Sequence, residues 1–455
     1  MTDAVGADGP GEAAIPGWLS NVLQDKAPGP KIYKWTAEDI PGGSSTAKPV
    51  TSRKLSAEEE QRRIYILGMG NLGRLFAASL ARLPNRPPIT LVVHRPGLLE
   101  QWRSKPGVVL HPPSYLKDQH DLDDSARTTG FDVEMWSEAP PSSSARTQSA
   151  EISNIANLVI STKAQDALKT ADWLRRYLGP DSAVAFAQNG MNKLWPPYGA
   201  VYNKARYPGT AAAPLWLACI VTHGVFSLGP FASVHASPAD VVLGAVGDDS
   251  PGFAGEESFP YLVRQILAAS QLNARWAPRH ELWVLQLEKL VVNAVINPLT
   301  AILRCKNGAL FVPGGESAVP QVIDELLQEA SVVLRALVLH EMESGSIFAR
   351  TGNDASGDND KEALVERLSF ASLRAMIYRV GNLVKDNNSS MLQDALAGKT
   401  TEVGEFNGWI VDMARYLESV NATDGRSIQV AAHEKMVDLV EKAVPLSKIE
   451  LESQF

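Results

Sequence analysis

The chain has 455 residues, 45% of them hydrophobic, a formal net charge of −8 and two cysteines, enough for two hydrophobic cores plus appendages. Its acidic balance and the absence of any Lys/Arg block argue against a phosphate-backbone surface, so no nucleic-acid partner is expected. Cys219 and Cys305 follow no metal, redox or disulfide spacing and read as core thiols of a reducing compartment.

No uninterrupted apolar run reaches the roughly 18 residues of a membrane span, so no membrane partner is expected. The acidic start, with Asp3, Asp8, Glu12 and Asp25, suits neither a secretory signal nor a mitochondrial presequence. A cytoplasmic location is therefore expected, with an unconventional organelle import route left open. Residues 1–58 are rich in Gly, Pro, Ala, Ser and Thr and read as a largely disordered leader in which Trp18 and Trp35 are candidates for local docking.

Organisation begins with the apolar run Ile64–Leu67, which ends in Gly68-Met69-Gly70-Asn71-Leu72-Gly73 and continues as a helical pattern to Leu83. Strand, glycine turn and helix in that order form a dinucleotide seat. The first glycine permits a tight turn, the second admits a pyrophosphate, and the third lets the helix pack on the strand. GxGxxG alone also occurs as a simple turn. A second strand, Ile89–Val93, is followed by His94-Arg95 with no Asp or Glu to hold a ribose diol, which favours NADP, with Arg95 on the 2′-phosphate; the plainer alternative is a solvated arginine. About 112–150 turns polar and reads as an insertion or long surface loop. Strands at Asn157–Ser161 and Ala183–Ala187 then flank a helix from about Ala164 to Leu178. Lys163 and Asn189 follow those strands, at the edge where open parallel sheets bind ligands, although each alone could be a turn residue. Pro214 to Val246 is expected to complete the first domain, and the lone His223 within it reads as structural.

After a boundary near Gln271 to Arg279, strand patterns cease and Pro278 should open a helix carrying Lys289, Asn293 and Asn297 at i, i+4 and i+8. Successive steps of four advance only about 40° around the axis, so an ammonium and two amides share one face of an otherwise apolar helix. Left unpaired in a core they would cost several kcal/mol, on the order of 1–3 per group or more. The stripe therefore points to a polar ligand, or to Lys289 snorkelling to water with the asparagines bonded to neighbouring backbone. Pro298 should kink or stop this helix, leaving Asn297 at an opening. Further helices are expected at Gln321–His340, about Lys361–Val384 and about Val430–Val444. Ser390 and Gln393 have capping-box spacing at a helix start suited to a small carboxylate. Glu402 precedes another helical pattern, either as a favourable first-turn acid or as a partner for Lys289.

These pieces together resemble the ketopantoate reductase (2-dehydropantoate 2-reductase) family over most of residues 63–445. The resemblance rests on Gly68–Gly73, Thr162-Lys163-Ala164, Gln188-Asn189-Gly190-Met191, Lys289 to Thr300 with Asn307-Gly308, Ser389 to Asp394, and Thr401-Glu402 with Asn407-Gly408. It implies an α/β fold: a Rossmann-like NADP-binding domain over 59–275, then an all-α substrate and catalytic domain over 276–455, with NADPH and a branched 2-oxo acid meeting in the cleft between them. By the same resemblance Gly68 to Gly73 hold the pyrophosphate, Arg95 the 2′-phosphate, and Lys163 and Asn189 the nicotinamide side. Lys289 is then the general acid, Asn293, Asn297, Asn307, Asn387 and Ser390 contact the substrate, and Glu402 is the acid beside the reacting centre, close to both cofactor and substrate. The length of the chain suits an enlarged, fungal-type member. The expected reaction is NADPH-dependent reduction of 2-dehydropantoate to pantoate, toward pantothenate and coenzyme A. Reduction of another 2-oxo acid, a non-catalytic binding role and a homodimer stay open.

Overall fold

The computed structural model describes residues 15–40, 56–115, 126–141, 151–209, 213–247, 253, 255–312, 318–340, 347–348, 357–422 and 425–455. They form two compact units, Asp25–Leu282 and Met1–Gln24 with Trp283–Phe455. The division falls a few residues later than 275/276. The start of the helix Arg279–Leu303 is tied to the first unit, where the Arg279 guanidinium lies 5.4 Å from the Trp195 ring centroid and donates to the Val246 carbonyl.

The first unit is built on a sheet of nine strands: β1 (Tyr33–Trp35), β2 (Ile64–Leu67), β3 (Ile89–Val93), β6 (Asp132–Ser137), β7 (Asn157–Ile160), β8 (Ala183–Ala187), β9 (Leu215–Val221), β12 (Val241–Ala245) and β13 (Ala274–Trp276). Their order is β1-β6-β3-β2-β7-β8-β9-β12-β13. From β6 to β9 neighbours are parallel, while β1 and β12 pair antiparallel with β6 and β9. Strands β3, β7, β8 and β12 are buried at every position, as expected of apolar runs covered on both faces. The chain leaves β2 for β3 on one side and later returns to β7 on the other. The strand order therefore reverses between β2 and β7, where open sheets of this kind place their ligands.

The leader is ordered over 15–40: helix Gly17–Gln24 belongs with the helical unit and buries Leu19, and β1 adds to the sheet edge beside a fully buried Ile32. The rest of the expected leader up to residue 55 lies outside the described residues. The stretch about 112–150 is not a plain insertion, because β6 within it is a sheet strand, pairing with β3 and β1 and burying Trp136. Near the sheet edge its side chains are half-covered and mixed in polarity, which hides the alternation that would mark a strand. A second sheet, order β10-β11-β4-β5, joins β4 (Val108–His111), β5 (Arg127–Thr128), β10 (Gly224–Gly229) and β11 (Ala232–Ser237). Cys219 is buried as expected, whereas Cys305 is only half-buried.

The helical unit is organised around Val319–Leu339, which buries Val322, Ile323, Leu326, Leu327, Ala330, Val333, Leu334 and Leu337 along the three- and four-residue spacing of an apolar helix face. Helices Gly357–Arg367, Phe370–Leu383, Val403–Ser419 and Ala431–Glu441 pack against it. By length and composition Arg279–Leu303 could cross a membrane, but 72% of its most apolar window is buried inside the protein, as in a core helix.

Candidate active site

At the end of β2 the three glycines have different reasons to be glycine. Gly68 has φ +98°, which L side chains rarely adopt. A Cβ on Gly73 would stand 2.0 Å from the Gly68 carbonyl oxygen and 2.6 Å from Ser161 Oγ, so helix Asn71–Leu80 closes on the turn only because none is there. Gly70 is different. It has ordinary extended angles at the helix N-cap, and a Cβ there would meet protein no nearer than 4.0 Å. None of the described residues requires that glycine, so the space in front of it is left for something else, beside first-turn amides that lack intrahelical acceptors. The side chains of Met69 and Leu72 pack on the core, and Asn71 bonds the Val225 carbonyl and Ser233. These three residues offer the site backbone rather than side chains.

Arg95 lies just beyond β3 as the exposed N-cap of helix Pro96–Ser104. Lys163 is the N-cap of helix Ala164–Trp173 beyond β7, and Asn189 follows β8 before Gly190, whose φ is +79°. Lys163 and Asn189 are half-buried. Next to each lies a buried polar atom without a partner among the described residues, Thr162 Oγ1 and Gln188 Oε1. Such an atom costs roughly 1–3 kcal/mol unless a ligand or water meets it. Both were missed from the sequence, where only their adjacency to Lys163 and Asn189 could have signalled them. An open Gly70 and orphaned polar atoms at the ends of β7 and β8 fit a dinucleotide lying along the carboxyl edge of the sheet.

In the helical unit, Lys289 is half-buried while Asn293, Asn297 and Asn307 are 4%, 6% and 5% exposed. The stripe is real at the level of side chains: Asn297 Nδ2 lies 3.4 Å from Asn293 Oδ1 and 3.5 Å from Ser390 Oγ. Both bonds are long and easily exchanged for a ligand's. Among the described residues Asn293 Nδ2 has no partner, and neither has Asn307 Oδ1. The Asn307 side chain donates to the Val384 carbonyl at 3.1 Å, and its backbone N–H donates to the Asn387 carbonyl at 3.1 Å. Asn387 thus holds Asn307 through its main chain. Thr300 Oγ1 reaches Ser389 Oγ at 2.7 Å and fastens the same loop to the stripe helix.

The cap of helix Ser390–Leu396 is Ser389, which accepts the Leu392 N–H at 3.0 Å, and not Ser390 as its spacing to Gln393 suggested. The shift by one residue leaves the Ser390 hydroxyl available to face Asn297. Glu402, expected in a first turn, is the N-cap of Val403–Ser419; it is 7% exposed and makes no side-chain cap bond.

Pro298 neither stops the helix nor puts Asn297 at an opening, because the helix runs unbroken from Arg279 to Leu303. The carbonyl that proline orphans, that of Ala294, accepts the Asn407 side-chain N–H at 2.9 Å. The second N–H of the same amide lies 3.0 Å from His433 Nδ1. Burial pushes His433 down to about 4, so it is neutral at pH 7; its Nδ1 accepts while Nε2–H donates to the Leu326 carbonyl. A distant helix thus supplies the hydrogen bond that the proline removes.

The chain matches the family described as ketopantoate reductase PanE/ApbA over residues 64–248, and that family's C-terminal part over 281–422. It is 40% identical over 456 aligned positions to a ketoisovalerate reductase of Gibberella fujikuroi, covering 96% of this chain and 98% of that protein. A ketoisovalerate reductase of Beauveria bassiana is 38% identical, with coverages of 96% and 98%. Among solved structures, a PanE/ApbA-family ketopantoate reductase from Ralstonia eutropha shares the fold with a TM-score of 0.55 at 19% identity, covering 86% of this chain and 100% of that one. The glycine turn at the strand-order reversal, the Lys289–Asn293–Asn297 stripe and these matches agree: the chain belongs to the ketopantoate reductase family of oxidoreductases.

Proposed function

We propose that the protein is an NADPH-dependent reductase of a short branched 2-oxo acid, with ketoisovalerate as its preferred substrate. The single observation that carries the chemistry is the stripe: an ammonium and two buried amides on one helix face, one amide nitrogen without a partner. The choice of acid rests on the near-full-length similarity to two proteins named ketoisovalerate reductase. The choice of NADPH rests on Arg95, an exposed cation beyond β3 where the sequence has no ribose-binding acid.

Gly68 to Gly73 hold the diphosphate at the helix start, Arg95 the 2′-phosphate, and Lys163, Asn189, Thr162 and Gln188 the nicotinamide end. Bound there, the cofactor supplies a hydride to the ketone carbon. Lys289 stabilises the charge that grows on the ketone oxygen and delivers the proton from Nζ. Asn293 and Asn297 donate to the oxygens of the acid, and Ser390 fixes Asn297. Glu402 is the buried acid beside the reacting centre in this reading.

A second reading, 2-dehydropantoate, has its own observation. Asn307 Oδ1 is a buried acceptor without a partner among the described residues. Carboxylate and ketone oxygens cannot donate to it, whereas the terminal hydroxyl of ketopantoate can. A site that hydrogen-bonds such a hydroxyl discriminates strongly against an analogue lacking it. Following reduced-nicotinamide absorbance separates the two readings. We expect kcat/KM for ketoisovalerate to exceed that for ketopantoate by about tenfold or more, and NADPH to be preferred over NADH. The reverse order of acids hands the assignment to ketopantoate, and turnover of neither rejects the reductase reading.

The glycines give a separate test of the cofactor seat. Gly70→Ala should fold with a melting temperature near that of the parent yet bind NADPH about tenfold or more weakly. Gly73→Ala must displace the backbone of the turn and should lose on the order of 3 kcal/mol or more of stability. Equal melting curves and equal NADPH titrations for both variants would remove the distinction.

A further inference from the structure

Helix Asn71–Leu80 carries a single charged side chain, Arg74, and it is only 4% exposed. All five N–H donors of its guanidinium are engaged. Nε donates to the Gly70 carbonyl at 3.0 Å, Nη1 to the Ala232 carbonyl at 2.6 Å and to that of Gly229, and Nη2 to Asn71 Oδ1 and Ser227 Oγ at 3.1 Å each. Every one of these acceptors is neutral. Among the described residues no carboxylate pairs with Arg74, and burial alone pushes it down to about 10.

A buried charge without a counter-ion is costly, and an apolar side chain would fill the same volume without that cost. Two of the acceptors, Gly70 and Asn71, belong to the glycine turn itself, and the other three belong to the β10–β11 hairpin. The side chain therefore joins the turn to the second sheet and leaves a full positive charge behind the place where the fold keeps Gly70 clear. Low-dielectric surroundings make such a fixed charge act strongly over short distances.

We propose that Arg74 is a positioning residue of the dinucleotide site: a buried, permanently held cation that pins the Gly70–Asn71 turn to the hairpin and supplies, through that turn, the counter-charge for a bound diphosphate. The inference rests on the dinucleotide reading above. It predicts an effect specific to the diphosphate part of the ligand, which a general packing role would not produce.

The test is calorimetric titration of the full chain and two variants, Arg74→Gln and Arg74→Lys, with NADPH, ADP and 2′-AMP, together with melting curves of the unliganded proteins. Gln keeps hydrogen-bonding capacity without charge, and Lys keeps charge without the fork. The expected result is that Arg74→Gln binds NADPH and ADP about tenfold more weakly, that Arg74→Lys stays within about threefold of the parent for both, and that 2′-AMP, which lacks the diphosphate, is unchanged throughout. The inference is overturned if Arg74→Gln binds ADP as the parent does, if Arg74→Lys is no better than Arg74→Gln, or if 2′-AMP weakens in step with ADP. Should the parent bind neither NADPH nor ADP, the dinucleotide reading itself fails and takes the inference with it. Should Arg74→Gln not fold, equality of Arg74→Lys and the parent for ADP sustains the inference, and a tenfold loss in Arg74→Lys rejects it.

Discussion

Lys289→Ala should cut turnover of the 2-oxo acid by about 10²- to 10⁴-fold, the usual contribution of a positioned general acid, while leaving NADPH binding within a factor of about three. The two readouts should separate because the proposed cofactor seat is the glycine turn of the first unit, whereas Lys289 stands on the stripe helix. The side chain is half-buried, so its loss should leave no large cavity and the melting temperature should change little. Stopped-flow single turnovers and a fluorescence titration with NADPH check both halves. Near-normal turnover would remove Lys289 from the chemistry. Loss of NADPH binding with the chemical step intact would move Lys289 to the cofactor.

Asn407→Leu should be strongly damaging although Asn407 lies away from the reacting groups. It strips the donor from the Ala294 carbonyl that Pro298 has already deprived of its helical partner, and it leaves neutral His433 without a donor at Nδ1. Two buried acceptors without donors should cost together about 2–5 kcal/mol. Because Ala294 lies between Asn293 and Asn297, KM for the acid should rise as well. Urea unfolding and steady-state kinetics measure the two effects. Pro298→Ala provides the control, since it restores an amide to the Ala294 carbonyl; in that background Asn407→Leu should cost at least about 1 kcal/mol less. Equal costs in both backgrounds would mean that Asn407 does not serve the proline.

What could be read from the sequence was what short-range pattern encodes. The run Ile64–Leu67, the glycine turn and the uniformly apolar strands were legible because strands buried on both faces need continuous apolar residues. The Lys289–Asn293–Asn297 stripe was legible from helical periodicity alone. What escaped depends on partners far along the chain. Strand β6 looks like a polar loop until β1 and β3 are seen on either side of it. The helix looked as if it should break at Pro298 because the amide that rescues it belongs to Asn407, in another helix. The cap was assigned one residue late because only Ser390 has a Gln three residues on, whereas in the fold Ser389 turns inward toward Thr300 and takes the cap. Nothing in the sequence singles out Arg74, because its five acceptors come together only in the fold. The identity of the acid is illegible for a different reason: Asn293 and Asn297 would serve ketoisovalerate and ketopantoate alike, and the unsatisfied Asn307 Oδ1 that would tell them apart shows only in the fold.

The most direct measurement is a crystal structure of the ternary complex with NADP⁺ and 2-hydroxyisovalerate. Lys289 Nζ is expected within about 3 Å of the C2 hydroxyl oxygen, with Asn293 and Asn297 on the acid's oxygens. A C2 oxygen held by other donors, with the Lys289 ammonium turned to bulk water, would contradict this arrangement.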